Sequence, residues 1–243
     1  MRRLVQFTRL HSTNTYLKQW ASKSTPICST AILADYQRQG RGRGGNQWTA
    51  DSGKNLTVSF THPKLRLRDM KALRVHFLFT LNLFRSLKTL GLDLSIKWPN
   101  DLMVGDKKVA GILSEVQHDK SGDSLLIIGL GLNVNQEDFG SLNDKATSIH
   151  QALRHAVNVK QALEIAWQAF EKTAEEVNGI TLASICEEIN KNLYAKGKVV
   201  FISQGENTRA GEVLGLHCDG RITLRGNDGK IHYLAAGNLL VSS

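Results

Sequence analysis

The chain has 243 residues, 41% of them hydrophobic and 22% charged, with 31 lysines and arginines against 22 acidic side chains for a net charge of +9. That length holds one substantial domain and a smaller one, and the composition excludes a disordered, collagen-like or disulfide-stapled chain. The positive balance favours an anionic partner (a nucleotide, a nucleic acid or an acidic protein surface) without choosing among them.

The first residues lack the apolar core and small-residue cleavage site of a secretory signal. The longest apolar stretch, around Leu125–Leu132, falls far short of the ~20 residues of a membrane helix, so no membrane partner is expected. Cys28, Cys186 and Cys218 are scattered and odd in number, which reads as free thiols in a reducing cytoplasm without metal-type spacing.

In chain order, Ser12-Thr13-Asn14 reads as the cap of a helix through Tyr16–Ala21. Ala31–Ala34 is a buried strand running into a loop rich in glycine and arginine, and Asn55–Thr61 alternates as a strand with one covered face. The spacing of Leu73, Phe77, Leu81, Phe84 and Leu87 predicts a core-facing helix over Asp69–Leu90, ended by Gly91. The basic cluster Lys64, Arg66, Arg68, Lys71 and Arg74 is either a solvated face or an anion contact.

Short strands follow at Ser95–Trp98, Leu102–Val104, Val109–Val116 and Leu125–Leu132, with turns at Pro99-Asn100, Gly105-Asp106 and Ser121-Gly122-Asp123. The connections are too brief for crossover helices, so a mixed, mainly antiparallel sheet is expected. Helices are expected over 159–177 and 181–192. After Ala195, strands at Val199–Ile202, Ala210–Leu216, Arg221–Leu224 and Ile231–Leu234 predict a small β-barrel. The chain is therefore read as α+β, with residues 1–194 forming one domain and 195–243 a second.

Three stretches carry chemistry. In Gly40-Arg41-Gly42-Arg43-Gly44-Gly45-Asn46-Gln47-Trp48 the glycines match a dinucleotide fingerprint. No helix follows, however, and the lysine of a P-loop is missing. Alternating arginines and glycines suggest instead a mobile loop whose guanidinium groups bind phosphate or carboxylate; a plain basic surface loop is the alternative. In Lys97-Trp98-Pro99-Asn100-Asp101, followed by Lys108-Val109-Ala110-Gly111-Ile112-Leu113, a cation, a carboxamide and a carboxylate meet at a proline turn. Asp101 is a candidate for Mg²⁺ beside nucleotide phosphates, and the hairpin returns Lys108 to them. Taken singly, either lysine is equally read as a solvated strand edge. In Gly129-Leu130-Gly131-Leu132-Asn133, alternating glycines strip one strand face, leaving room for a ligand or for tight backbone packing.

Together and in order, these stretches resemble biotin protein ligases over essentially the whole chain. The family pattern is S-T-N, G-R-G-R-x-G with a nearby tryptophan, K-W-P-N-D, K-x-A-G-I-L and G-x-G-x-N, closed by a small SH3-like barrel. The resemblance implies a class II synthetase-like catalytic domain that makes biotinyl-5′-AMP from biotin and ATP, with Mg²⁺, and transfers biotin to a lysine of a biotin carboxyl carrier protein. It implies catalytic roles for Arg43 and Lys108, and a biotin site from Ser12, Thr13, Asn14, Gln37, Gly40, Arg41, Gly42, Lys108 and Gly111. Arg43, Trp48, Lys97, Asn100 and Asn133 would bind ATP and the adenylate, and Asp101 the metal. Some family members carry more cations where this chain has Gly44, Asn46 and Gln47. Many bacterial relatives also carry an N-terminal DNA-binding domain; here the motifs begin at Ser12, so specific DNA binding is not expected. A monomer or a homodimer is expected.

Three alternatives compete. A lipoate-protein ligase shares the adenylation chemistry but resembles its own kind through an arginine pair and a triple glycine that this chain lacks. A basic nucleic-acid-binding module would show steep salt dependence; no zinc-finger spacing or aromatic RNA-binding signature supports it. An inactive biotin-binding protein would not need both Arg43 and Lys108.

Overall fold

The first strand, β1 (Arg2–Leu10), falls where three arginines, Gln6 and Thr8 interrupt the apolar residues Leu4, Val5, Phe7 and Leu10. It is an edge strand with mostly exposed side chains, so it lacks the clean alternation that marks a half-buried strand. Contacts distant in sequence hold it. Arg2 pairs with Glu164 at 2.8 Å and Glu171 at 2.6 Å, and Arg3 lies 5.3 Å over the Trp20 ring.

The computed structural model describes residues 1–66, 72–118 and 123–241. Arg68, Lys71, the helix onset at Asp69 and the turn residues Ser121 and Gly122 lie outside the described residues. After β1 come α1 (Thr13–Ala21), β2 (Ser29–Gln37), β3 (Leu56–Thr61), α2 (Ala72–Lys88), β4 (Leu94–Lys97), β5 (Asp101–Val104), β6 (Lys107–His118) and β7 (Ser124–Leu132). These strands form a seven-stranded sheet in the order β1-β2-β3-β7-β6-β5-β4. Among them β1 and β2 pair in parallel, with α1 as the crossover, and the other pairs are antiparallel. The mainly antiparallel expectation holds.

Then follow α3 (Ile149–Leu153), α4 (Val159–Glu176) and α5 (Leu182–Asn190). The short α3 was not anticipated; it is capped by Ser148, whose hydroxyl accepts from Gln151 N at 3.2 Å. One face of the sheet is covered by α2 and α4. There Phe60 of β3 stacks on Phe170 at 4.9 Å, with Trp167 edge-on at 5.9 Å and Phe79 tilted at 6.3 Å. Each fully buried phenylalanine contributes about 1.5–3 kcal/mol through apolar burial. The opposite face receives α1 through Leu17, packed with Ile32 and Ile127.

The last strands, β8 (Val199–Gln204), β9 (Asn207–Leu216), β10 (Ile222–Arg225), β11 (Ile231–Leu234) and β12 (Asn238–Val241), form a second antiparallel sheet in the order β11-β10-β9-β8-β12. It fits the expected barrel, with β12 added. Its core residues Val200, Ile202, Val213 and Leu224 are continuous with the core of the first sheet. Trp98 Nε1 donates to Gly220 O at 3.1 Å and Leu216 N donates to Asn190 Oδ1 at 2.6 Å, fixing the second sheet against α5 and the β4–β5 turn. No described helix is long and apolar enough to cross a membrane.

Candidate active site

Strand register assembles the site. Lys97 pairs with Asp101, Asp101 with Gly111, Gly111 with Gly131 and Gly131 with Thr57. These residues therefore lie in one row across four strand pairings, on one face. The adjacent row runs Leu113, Gly129, Ser59. Above this face lies a cavity of about 590 Å³.

Lys108 reaches the cavity through a β-bulge. The β5–β6 register shifts between Leu102 and Met103, which pair with Ala110 and Lys108, leaving Val109 unopposed. Strict alternation from Gly111 would aim Val109 at the cavity and Lys108 away; the extra residue reverses that. Val109 is buried in the core. Lys108 lies over Gly111, where an added Cβ would sit 2.8 Å from Nζ. Its ammonium is 2.7 Å from Asp101 Oδ1 and 5.6 Å from the centre of the Trp48 ring.

The glycine- and arginine-rich segment forms a hairpin. Trp48 N donates to Gly40 O at 3.0 Å, and Gly42 N to Asn46 O at 2.8 Å, closing a hairpin. Its tip is a 3₁₀ turn, with Gly44 at φ 60° and Gly45 at φ 84°, conformations that exclude most side chains. The hairpin lays Trp48 on Gly131, where a Cβ would lie 2.2 Å from the indole, and Asn14 occupies the corresponding space over Gly129 at 2.3 Å. The glycine face of β7 thus accommodates two side chains of the same molecule. Trp48 Nε1 is buried without a hydrogen-bond partner among the described residues.

At the other end, Ser12 starts α1 without a side-chain capping bond, contrary to the capping expectation. Thr13 and Asn14 belong to the first turn and point inward. Thr13 N donates to Gln37 Oε1 at 2.7 Å, Ser59 Oγ lies 2.7 Å from Thr13 Oγ1 and donates to Asn14 Oδ1 at 2.5 Å, and Asn14 Nδ2 donates to Glu115 Oε2 at 3.0 Å.

The cavity wall includes Ser12, Thr13, Asn14, Gln37, Arg41, Gly42, Arg43, Trp48, Lys97, Asn100, Asp101, Lys108 and Gly111. Arg43 and Lys108 share one space. Gly40 and Asn133 stand behind the wall. A Cβ on Gly40 would meet Trp48 O at 2.2 Å, so Gly40 keeps the hairpin closed. Asn133 is buried and its Nδ2 donates to Thr147 O at 2.9 Å, clasping the segment after β7 instead of facing the cavity. Sequence reasoning did not select Glu115, Ser59 or the second-sheet residues Ser203–Gly205 and Ala236–Asn238, of which the last two groups close one side of the cavity.

The electrostatics are positive with one acidic counterweight. Asp101 is the carboxylate among the wall residues, and it faces Lys97, Lys108 and Arg43. Burial pulls the Lys97 ammonium below its usual pKa, and the Lys108 charge adds to that while Asp101 opposes it. Burial also lowers Arg43, again against Asp101; its NH1 is 3.5 Å from Asn100 Oδ1. Asn100 is itself fixed by donating Nδ2 to Ile112 O at 3.1 Å. Beneath the turn, buried His76 lies 3.0 Å from Pro99 O through Nε2 and 2.7 Å from Ser114 Oγ through Nδ1. Pro99 O can only accept, so Nε2 carries the proton. Burial holds His76 neutral, with its pKa lowered to about 4. As a metal site the cavity offers only Asp101; no cluster of three acidic, histidine or cysteine ligands occurs among the described residues.

Comparison with known proteins agrees with this geometry. The model of the "Biotin/lipoate A/B protein ligase family" matches residues 6–133. The chain is 30% identical over 241 residues to the bifunctional ligase/repressor BirA of Bacillus subtilis, covering 93% of this chain and 70% of that protein. It is 27% identical to a biotin–[acetyl-CoA-carboxylase] ligase of Paracoccus denitrificans, covering 83% and 86% of the two chains. The structure of a biotin protein ligase from Aquifex aeolicus in complex with biotin and ATP superimposes with a TM-score of 0.85 at 26% identity, covering 99% and 98%. With the family model spanning residues 6–133 and the fold shared end to end, the chain belongs to the biotin/lipoate A/B protein ligase family.

Proposed function

We propose that this chain condenses biotin with ATP to biotinyl-5′-AMP and pyrophosphate, then transfers biotin to a lysine of a biotin carboxyl carrier protein. The observation that carries this reading is that Arg43 and Lys108 line one cavity whose far end is a hydrogen-bonding cluster of Thr13, Asn14 and Gln37. That polar end suits a cyclic urea, which can hydrogen-bond to it, better than the apolar dithiolane of lipoate, which cannot. Homologous proteins named as biotin ligases support the same substrate.

In the first step a biotin carboxylate oxygen bonds to the α-phosphorus of ATP and the bond to pyrophosphate breaks. Negative charge builds on the phosphoryl oxygens, where fixed cations act most strongly. Lys108 contacts the carboxyl and phosphate oxygens, and Arg43 holds the adenylate phosphate. Lys97 and Asn100 serve the ATP side with Trp48, whose unpaired Nε1 offers a donor to a bound acceptor. Asn133 supports that side from behind by fixing the 145–147 segment. Ser12, Thr13, Asn14, Gln37, Arg41 and Gly42 frame biotin, with Gly40 holding their hairpin and Gly111 giving Lys108 its space. In the second step the carrier's amine attacks the acyl carbon and AMP leaves.

One carboxylate plus phosphate oxygens is a common setting for Mg²⁺. Asp101 fits as its protein ligand, and the ion would supply further neutralisation of phosphate charge. Residues 1–194 are the proposed catalytic domain and 195–243 a barrel domain that completes the cavity wall. One chain provides the whole described wall, so a monomer and a homodimer both accommodate the reaction. Three free cysteines fit a cytoplasmic enzyme. The test is to mix the protein with ATP, Mg²⁺ and either biotin or lipoate and to look for the acyl-adenylate by mass spectrometry. Biotinyl-AMP alone is expected; lipoyl-AMP, or neither product, would overturn the proposal.

A further inference from the structure

Glu115 lies outside every motif above, yet the biotin end of the cavity is built upon it. Its carboxylate is 15% exposed and receives three elements of the fold. Asn14 Nδ2 from α1 donates at 3.0 Å, Lys18 Nζ from the next turn lies at 3.1 Å, and Arg41 from the hairpin reaches it at 3.1 Å and 3.3 Å. Burial opposes the charged form, but the bonds from Asn14 and Lys18 and the charges of Lys18 and Arg41 prevail and hold the pKa below the usual carboxylate value.

An ionised carboxylate only accepts hydrogen bonds. Asn14 must therefore turn its NH₂ toward Glu115 and its oxygen toward Ser59. The second Asn14 proton reaches Leu113 O at 3.4 Å, a long contact that adds little. Ser59 has one proton, and Asn14 Oδ1 at 2.5 Å can only accept it. The 2.7 Å contact between Ser59 and Thr13 is then made by the Thr13 proton, for which Ser59 Oγ is a nearer acceptor than Gln37 Oε1 at 3.1 Å. Protons thus point in one direction from Thr13 through Ser59 and Asn14 to Glu115, which leaves lone pairs on Thr13 Oγ1 to accept from a ligand in the cavity.

We propose that Glu115 is a positioning residue that sets this hydrogen-bond direction for the ureido N–H groups of biotin and, through Arg41, latches the Gly40–Trp48 hairpin over them. The proposal rests on the biotin reading above. In Glu115→Gln the new amide can donate, so Asn14 is free to reverse, Ser59 then donates to Thr13, the Thr13 proton turns to Gln37 Oε1, and one of the two lone pairs open to the ligand is taken up.

Steady-state pyrophosphate release separates the possibilities. Glu115→Gln is expected to raise the biotin KM by about tenfold to a hundredfold, the loss of one or two bonds, with kcat and the ATP KM within about threefold. Lys18→Met, which removes charge without altering the proton direction or the hairpin contact, is expected to shift the biotin KM by no more than about threefold, as a partly exposed ion pair does. Ser59→Ala breaks the chain of protons away from Glu115 and also raises the biotin KM; its effect combines with Glu115→Gln less than additively, because both act on one network. An unchanged biotin KM in Glu115→Gln, an equal effect of Lys18→Met, or strict additivity with Ser59→Ala overturns the inference while leaving the biotin reading intact. A wild-type chain that releases no pyrophosphate with biotin removes that reading and this inference together.

Discussion

The two faces of the seven-stranded sheet use the same strands for opposite purposes. On β3, Phe60 and Val58 enter the helix-covered core while Ser59 and Thr57 are buried on the opposite side of the sheet, beneath the cavity wall; on β7, Ile128 and Leu130 enter the core while Gly129 and Gly131 lie under Asn14 and Trp48. One face is filled by large, fully buried apolar side chains. The other carries Ile32 and Ile127 under α1 but is reduced to glycine and small polar residues beneath the cavity, so that side chains from a hairpin and a helix can converge there. Stability and chemistry are thereby separated by one residue of strand, and substitutions on the two faces should have different signatures.

The largest expected effect is on the packed face. Phe60→Ala should lose about 3–5 kcal/mol of stability, measured by urea unfolding, while the protein that remains folded keeps its biotin KM. A loss of biotin affinity with little loss of stability would break the division. On the cavity face, Lys108→Ala should slow adenylate formation by roughly two to three powers of ten, comparable to removing one donor from a developing anion, with unfolding midpoints nearly unchanged. A near-normal rate of pyrophosphate release would remove Lys108 from the mechanism.

His76 sits at the seam, carried by a core helix but bonded to the site turn at Pro99. Its folded pKa of about 4 lies below the ordinary 6.5. The unfolded chain therefore binds the proton more readily, and this contribution to stability is present above pH 6.5 and lost as pH falls toward about 4. Between pH 7 and pH 5 the loss should be about 2 kcal/mol. In His76→Gln that part of the pH dependence should vanish; if it persists, another group is responsible. An effect of similar size is expected of Arg43→Gly, which removes a charge-assisted phosphate contact worth about 1.5–3 kcal/mol. It should release biotinyl-AMP and label bystander proteins, and unchanged labelling specificity would count against the role given to Arg43.

Much of the cavity face was legible because its chemistry is local. Ser12–Asn14, Gly40–Trp48, Lys97–Asp101 and Lys108–Gly111 are each contiguous stretches of unusual residue types. What escaped depends on register and on distant partners. The bulge at Val109 that turns Lys108 into the cavity exists only against β5. Glu115 reads as one more polar residue in an alternating strand until α1 and the hairpin are placed over it. Edge strand β1 is held by ion pairs to α4 more than 160 residues away, so its own pattern carries little signal. The helices α4 and α5 were readable from their apolar spacing, whereas five-residue α3 offers too few turns for a period to emerge.

The central claim is that Arg43 and Lys108 hold one phosphate. A crystal structure with biotinyl-5′-AMP bound tests it most directly. Phosphate oxygens within about 3 Å of both Lys108 Nζ and the Arg43 guanidinium, with the ureido ring against Thr13, is the expected result. A phosphate touching neither cation, or an adenylate bound outside this cavity, would contradict the account.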